Sequence, residues 1–92
     1  MRTMRLMHYP ILIDEGTETA AFGVVVPDLP GCFSAGDTFD EAVEAAKEAA
    51  AGWIDATRES GFPVPPPSSL ERVRSLRGYN GWAISVIDIE PS

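Results

Sequence analysis

The sequence predicts a small α+β domain with the order β-β-β-α-(short α)-β. A three-stranded antiparallel meander carries one long helix on one face, and a final strand runs parallel to its neighbour. Three observations lead there. Apolar runs at strand length occupy the first third of the chain and its last ten residues. A tight turn, Pro27-Asp28-Leu29-Pro30-Gly31-Cys32, separates two of them. The stretch Phe39 to Ser60 then repeats apolar residues at helical spacing.

Leu6 to Ile13 (LMHYPILI) is rich in aliphatic and aromatic residues and reads as the first strand, with Pro10 favouring an edge or a slightly broken ladder. Asp14 to Glu18 is a polar turn. Ala20 to Val26 (AAFGVVV) is the second strand, joined to the first as an antiparallel hairpin. Pro27 cannot donate to a ladder and closes that strand. Pro30 sets φ for the second position of a type II turn, and Gly31 accepts the positive φ required next. Cys32 to Ala35 is a short third strand.

Thr38 followed by Glu41 has the spacing of a helix-capping box. The helix Phe39 to Ser60 presents a stripe of Phe39, Ala42, Val43, Ala46, Ala49, Ala50, Trp53, Ala56 and Thr57. Asp40, Glu41, Glu44 and Glu48 crowd its N-terminal half, where the dipole favours them, and Gly61 is a natural stop. Gly52 costs about 1 kcal/mol against alanine, a cost that close packing would explain. Phe62 to Ser69 (FPVPPPSS) is a stiff polyproline linker. Ser69 to Arg77 contains a short helix, Gly78 to Gly81 turns the chain, and Trp82 to Ile89 is the last strand, expected to be parallel after a helical crossover. Both faces of the sheet are apolar, whereas one helix covers one face. The uncovered face predicts a homo-oligomer or an obligate partner.

With 92 residues the chain is one domain, 1–92, burying about 60–65% of its unfolded surface. Fourteen acidic against seven basic residues give a net charge of −7. That balance disfavours direct nucleic-acid binding and suits a basic protein partner. Cys32 is the only cysteine, which excludes an internal disulfide and a multi-cysteine zinc site. No apolar run approaches a membrane span of about 20 residues, and the start lacks an apolar signal segment. These features point to a cytoplasmic protein.

Several segments together resemble the HicB family of antitoxins. They are Tyr9 to Ile13, Val26-Pro27-Asp28-Leu29-Pro30-Gly31-Cys32, Gly36-Asp37-Thr38 with Glu41-Ala42, Ala46-Lys47-Glu48-Ala49, and Pro65-Pro66-Pro67-Ser68. They occur in the family's order over nearly the whole chain. The resemblance implies a degraded ribonuclease-H-like fold. It also implies binding and neutralisation of a HicA-type toxin, a small basic mRNA-cleaving protein, by covering its active site. Longer members continue into an operator-binding helix-turn-helix or ribbon-helix-helix segment; the sequence here stops at Ser92, so it is expected to lack direct DNA binding, either as a short stand-alone member or because that segment lies outside it.

The expected partner-binding residues are Tyr9, Asp28, Leu29, Pro30, Gly31, Glu44 and Glu48, with no catalytic residue, no metal and no cofactor. A working Mg²⁺ nuclease would need converging carboxylates. The candidates Asp14, Asp28, Asp37, Glu41, Glu44 and Asp88 fall mostly at turns and the helix start, and none occupies the middle of the first strand. His8 lacks a catalytic partner in the sequence, and Arg72, Arg74 and Arg77 read as a solvated helix face. The alternatives to an antitoxin are a stand-alone HicB-like domain binding another protein or a small ligand and, less favoured, a residual Mg²⁺-dependent nuclease.

Overall fold

A computed structural model describes residues 6–16 and 21–90. Strands β1 (Met7–Asp14), β2 (Phe22–Val25) and β3 (Phe33–Gly36) precede the long helix α1 (Phe39–Glu59). The short helix α2 (Leu70–Arg74) and strand β4 (Ala83–Ile89) complete the domain. The expected turn residues Thr17 and Glu18, the strand start at Ala20 and the chain end at Pro91 lie outside the described residues.

The sheet has the order β3-β2-β1-β4, with every neighbouring pair antiparallel. The meander is as expected; the direction of β4 is not. Tyr9 Oη, near the start of β1, donates to the Pro65 carbonyl at 2.6 Å, so the linker lies at that end of the sheet. Ala83 nevertheless pairs with Ile13, near the opposite end of β1. Between Pro65 and Ala83 the chain therefore travels the sheet's length once more, which reverses the direction that a simple helical crossover would give. Pro10 sits inside β1 yet the pairing with β4 runs unbroken from Met7 to Ile13.

Alternation sends Tyr9, Ile11, Ile13, Val24, Ile87 and Ile89 to the face covered by α1, where all are buried with Ala42, Ala46, Ala50 and Ile54. Alanines at a spacing of four let the helix approach the sheet closely. Ile54, rather than the exposed Ala56, continues that stripe. The helix starts where Thr38 Oγ1 accepts from the Glu41 N–H at 3.1 Å. It ends in a Schellman motif: Gly61 N–H to Arg58 O and Phe62 N–H to Thr57 O, with Gly61 at φ +80°. Gly52 is exposed, and a Cβ placed on it would meet nothing within 4 Å. The expectation of close packing there is corrected.

Gly36 is the glycine with the packing role. A Cβ on it would lie 2.5 Å from the Ala42 nitrogen and 2.8 Å from the Glu41 carbonyl carbon. The end of β3 thus rests directly on the first turn of α1, held by Ser34 Oγ donating to Ala42 O at 3.0 Å.

The opposite sheet face is partly covered. Pro10 and Leu12 are buried, whereas Phe33 and Val86, near the two edges of that face, remain 71% and 40% exposed. The segment returning to β4 lies against this face, with Tyr79 beside Val25 and Phe33. The expectation of an uncovered face is corrected to this extent, because it counts α1 as the one covering element and not the segment between α2 and β4.

Candidate partner-binding site

The site is built on the turn between β2 and β3. Leu29 N–H bonds to Val26 O at 3.0 Å and Cys32 N–H to Leu29 O at 2.9 Å, making two successive turns closed by Val26 N–H to Cys32 O at 3.0 Å. Gly31 takes φ +80°, as a type II turn with Pro30 at its second position requires. Leu29 is fully buried and anchors the turn to the core, while Pro30 and Gly31 are exposed at its tip.

Two further elements hold the turn. Trp53, projecting from α1, donates its indole N–H to Pro30 O at 2.9 Å. On the other side, the Asp28 carboxylate accepts from Ser68 N–H at 2.8 Å and from the Ser68 hydroxyl at 2.5 Å. Together with Tyr9 Oη on Pro65 O, this fastens the polyproline linker beside the turn. A polyproline strand has no internal hydrogen bonds, so its position depends on such side-chain attachments. Burial pushes the Tyr9 phenol above its ordinary pKa of 10.0; the Asp28 carboxylate adds to the shift and the Arg58 guanidinium opposes it. Tyr9 is thereby kept as a neutral hydrogen-bond donor.

Five of the seven expected contact residues converge here. Pro30 and Gly31 form the exposed tip, and Asp28 is half-buried. Tyr9 and Leu29 have 0% exposure and shape the turn from beneath. Glu44 and Glu48 stand apart, exposed one turn from each other on α1; Lys47 Nζ donates to Glu44 at 3.2 Å. Trp53 lies beside the turn, so Glu48 is about 7–8 Å and Glu44 about 13–14 Å farther along the helix axis.

Sequence reasoning placed Trp53 in the helix stripe and Ser68 in the linker, but did not bring them or Tyr79 to the turn. Their links to the turn span long stretches of chain, and no local spacing signals them. Beside the turn, a shallow groove of about 340 Å³ is lined by Val25, Leu29, Pro30, Cys32, Phe33 and Tyr79. Cys32 is buried within it, and burial pushes its thiol pKa up. Among the described residues no three His, Cys, Asp or Glu side chains gather to hold a metal ion, and no helix is long and apolar enough to cross a membrane. His8 Nδ1 instead hydrogen-bonds Asp88 at 2.5 Å across β1 and β4, in a solvent-exposed pair.

Residues 9–92 match the family model described as a HicB-like antitoxin of bacterial toxin-antitoxin systems. An uncharacterised 14.9 kDa protein from the rep-hol intergenic region of Haemophilus phage HP1 is 37% identical over 84 residues, covering 91% of this chain and 62% of that protein. The UPF0150 protein Ta0767 of Thermoplasma acidophilum is 34% identical over 65 residues, 71% of this chain and 93% of that protein. Among solved structures, the antitoxin HicB of Burkholderia pseudomallei superposes with a TM-score of 0.78 at 30% identity, over 88% of this chain and 61% of that one. A chain of the HicA3 and HicB3 toxin-antitoxin complex superposes at 0.72 with 36% identity, over 92% of this chain and all of that one. The chain thus spans about three fifths of the phage protein and of the Burkholderia antitoxin. Its sequence matches the family model from β1 onward, and its fold is that of these antitoxins, so the chain belongs to the HicB-like antitoxin family.

Proposed function

We propose that this chain is a non-enzymatic antitoxin domain that binds a small basic HicA-type toxin and neutralises its mRNA-cleaving activity by covering the active site. The observation that carries the reading is the likeness to a chain solved in a HicA3–HicB3 complex, at 36% identity over its full length. The charge agrees: a net −7 surface accelerates encounter with a basic partner, and apolar contacts then set the lifetime of the complex. The contact surface in this reading is the exposed turn tip Pro30-Gly31 with Asp28, and the acidic pair Glu44 and Glu48. Tyr9 and Leu29 hold the turn in its binding shape. The protein acts in the cytoplasm, as a homo-oligomer, on a protein partner and without a cofactor.

The test is co-expression. Paired with the small basic protein encoded beside it, the chain restores growth, and the purified pair leaves RNA intact. Continued RNA cleavage by the mixed proteins refutes the reading.

A second reading keeps the fold without the toxin: a stand-alone HicB-like domain that binds another protein or a small ligand. The groove beside Phe33 and Tyr79 favours it, as does the similarity to a Thermoplasma protein that is matched over nearly its whole length.

A further inference from the structure

We infer that the outer edge of β4 is a self-association site, where a second copy of this chain adds its own β4 antiparallel about a two-fold axis at Val86. The inference rests on the homo-oligomer reading above and is independent of toxin binding.

Pro10 pairs with Val86 inside an unbroken ladder, and a proline has no N–H with which to exchange both bonds of a hydrogen-bonded pair. Pro10 and Val86 are therefore a non-hydrogen-bonded pair. By alternation, Ala83, Ser85, Ile87 and Ile89 bond to β1, while Ile84, Val86 and Asp88 direct their N–H and C=O groups outward. Among the described residues β4 is at the end of the sheet, so these groups meet no neighbouring strand there.

Edges of this kind are usually guarded by charged side chains (lysine above all), proline, a bulge or short length. β4 reads AISVIDI over seven residues and has no lysine, proline or bulge; its one charge, Asp88, stands near its end and is paired with His8. The opposite edge, β3, is protected by brevity at four residues. A strand edge needs an occupant with an equally unsatisfied edge, and a second copy provides one of equal length.

The register follows from the outward set. Centring the two-fold axis on Val86 pairs Val86 with its counterpart and Ile84 with Asp88 of the other copy, twice. All three outward residues of each copy are then satisfied, with two bonds for each pair. A shift of the axis to Ser85 or Ile87 leaves one of the three without its match within the strand. The same arrangement brings together the two exposed Val86 side chains and the half-exposed Ile84 on the face opposite α1. Charge also permits it. Two copies of net charge −7 repel, but β4 is uncharged from Ala83 to Ile87, and Asp88 is already paired with His8.

The experiment is sedimentation of the full chain over a micromolar concentration series, with amide hydrogen exchange read at residues 83–89. The expected result is a dimer or larger species in which the amides of Ile84, Val86 and Asp88 gain protection as concentration rises. Ala83, Ser85, Ile87 and Ile89 are protected at every concentration. Val86→Pro removes an outward N–H and no bond to β1, so it should weaken association roughly tenfold or more while leaving the fold intact by circular dichroism. Val86→Lys, which sets two charges face to face, should do the same. An assembly that persists with the three outward amides exchanging freely overturns the edge site and leaves the oligomer reading standing. A monomer at all concentrations overturns both.

Discussion

Replacing Gly36 with alanine tests how β3 meets α1. Gly36 is not one of the glycines with positive φ, so its role is close approach and not backbone freedom. A Cβ there would sit 2.5 Å from Ala42 N, 2.8 Å from Glu41 C and 2.9 Å from Ala42 Cα. Ordinary contacts of this kind begin near 3.4 Å, so the strand and the helix start must separate by almost an ångström. All three atoms are backbone, and no rotamer change relieves them. The helix start is also fixed by the Thr38 cap and by Ser34 Oγ on Ala42 O, so separation strains both bonds. Overpacking of this kind costs about 1–3 kcal/mol, and a backbone-on-backbone clash belongs at the upper end, about 3 kcal/mol. For a domain of this size that lowers Tm by roughly 12 °C or more. Urea unfolding followed by tryptophan fluorescence, at fixed protein concentration because association shifts apparent stability, gives the value directly. Gly52→Ala is the control: it fills open solvent mid-helix and should stabilise by about 1 kcal/mol. If Gly36→Ala changes stability by less than about 0.5 kcal/mol, the range of an ordinary surface substitution, the close-approach argument is refuted.

Three further outcomes follow from the turn and its attachments. Gly31→Val should destabilise by about 2 kcal/mol through backbone strain alone, since φ is +80° and a Cβ there meets nothing within 4 Å; an unchanged urea midpoint contradicts the type II turn. Tyr9→Phe removes the bond to Pro65 O and should cost about 1 kcal/mol at neutral pH. Because the folded state raises the Tyr9 pKa above 10.0, folding favours the protonated phenol. Its contribution is complete below pH 10 and declines as pH rises through the folded-state pKa. Stability measured from pH 8 upward should therefore fall more steeply in the wild type than in Tyr9→Phe, and parallel curves would contradict this. Asp28→Ala, which releases Ser68, should increase proteolysis between Phe62 and Ser69 while leaving the β1–β2 amides protected.

The residues that made the fold legible are those with local signatures. Thr38 and Gly61 bound α1 to within a residue, and the Pro30-Gly31 pair gives the turn type. What escaped sequence reasoning is non-local. The direction of β4 depends on where Tyr9 and Asp28 fasten the linker, and those bonds join residues 56 and 40 positions apart. Neither Gly36, just before the helix cap, nor Gly52, inside the helix, shows in the sequence what it packs against. Only the placement of α1 against β3 separates the one that cannot accept a Cβ from the one that can. Within the site, Pro30 and Gly31 read correctly as a turn from composition. That Tyr9 and Leu29 lie wholly beneath it becomes visible only when β1 and the turn share one core.

The antitoxin reading is tested most directly by the binding kinetics of this chain with the basic protein encoded beside it, across a salt series. Steering by an acidic surface predicts an association rate that falls as salt screens charges beyond about 8–10 Å, with dissociation nearly unchanged. Reversing the charges of Glu44 and Glu48 should slow association further. A complex that forms at low micromolar concentration with these rates is the result the account predicts. No binding at that concentration would contradict it and leave the stand-alone domain as the better reading.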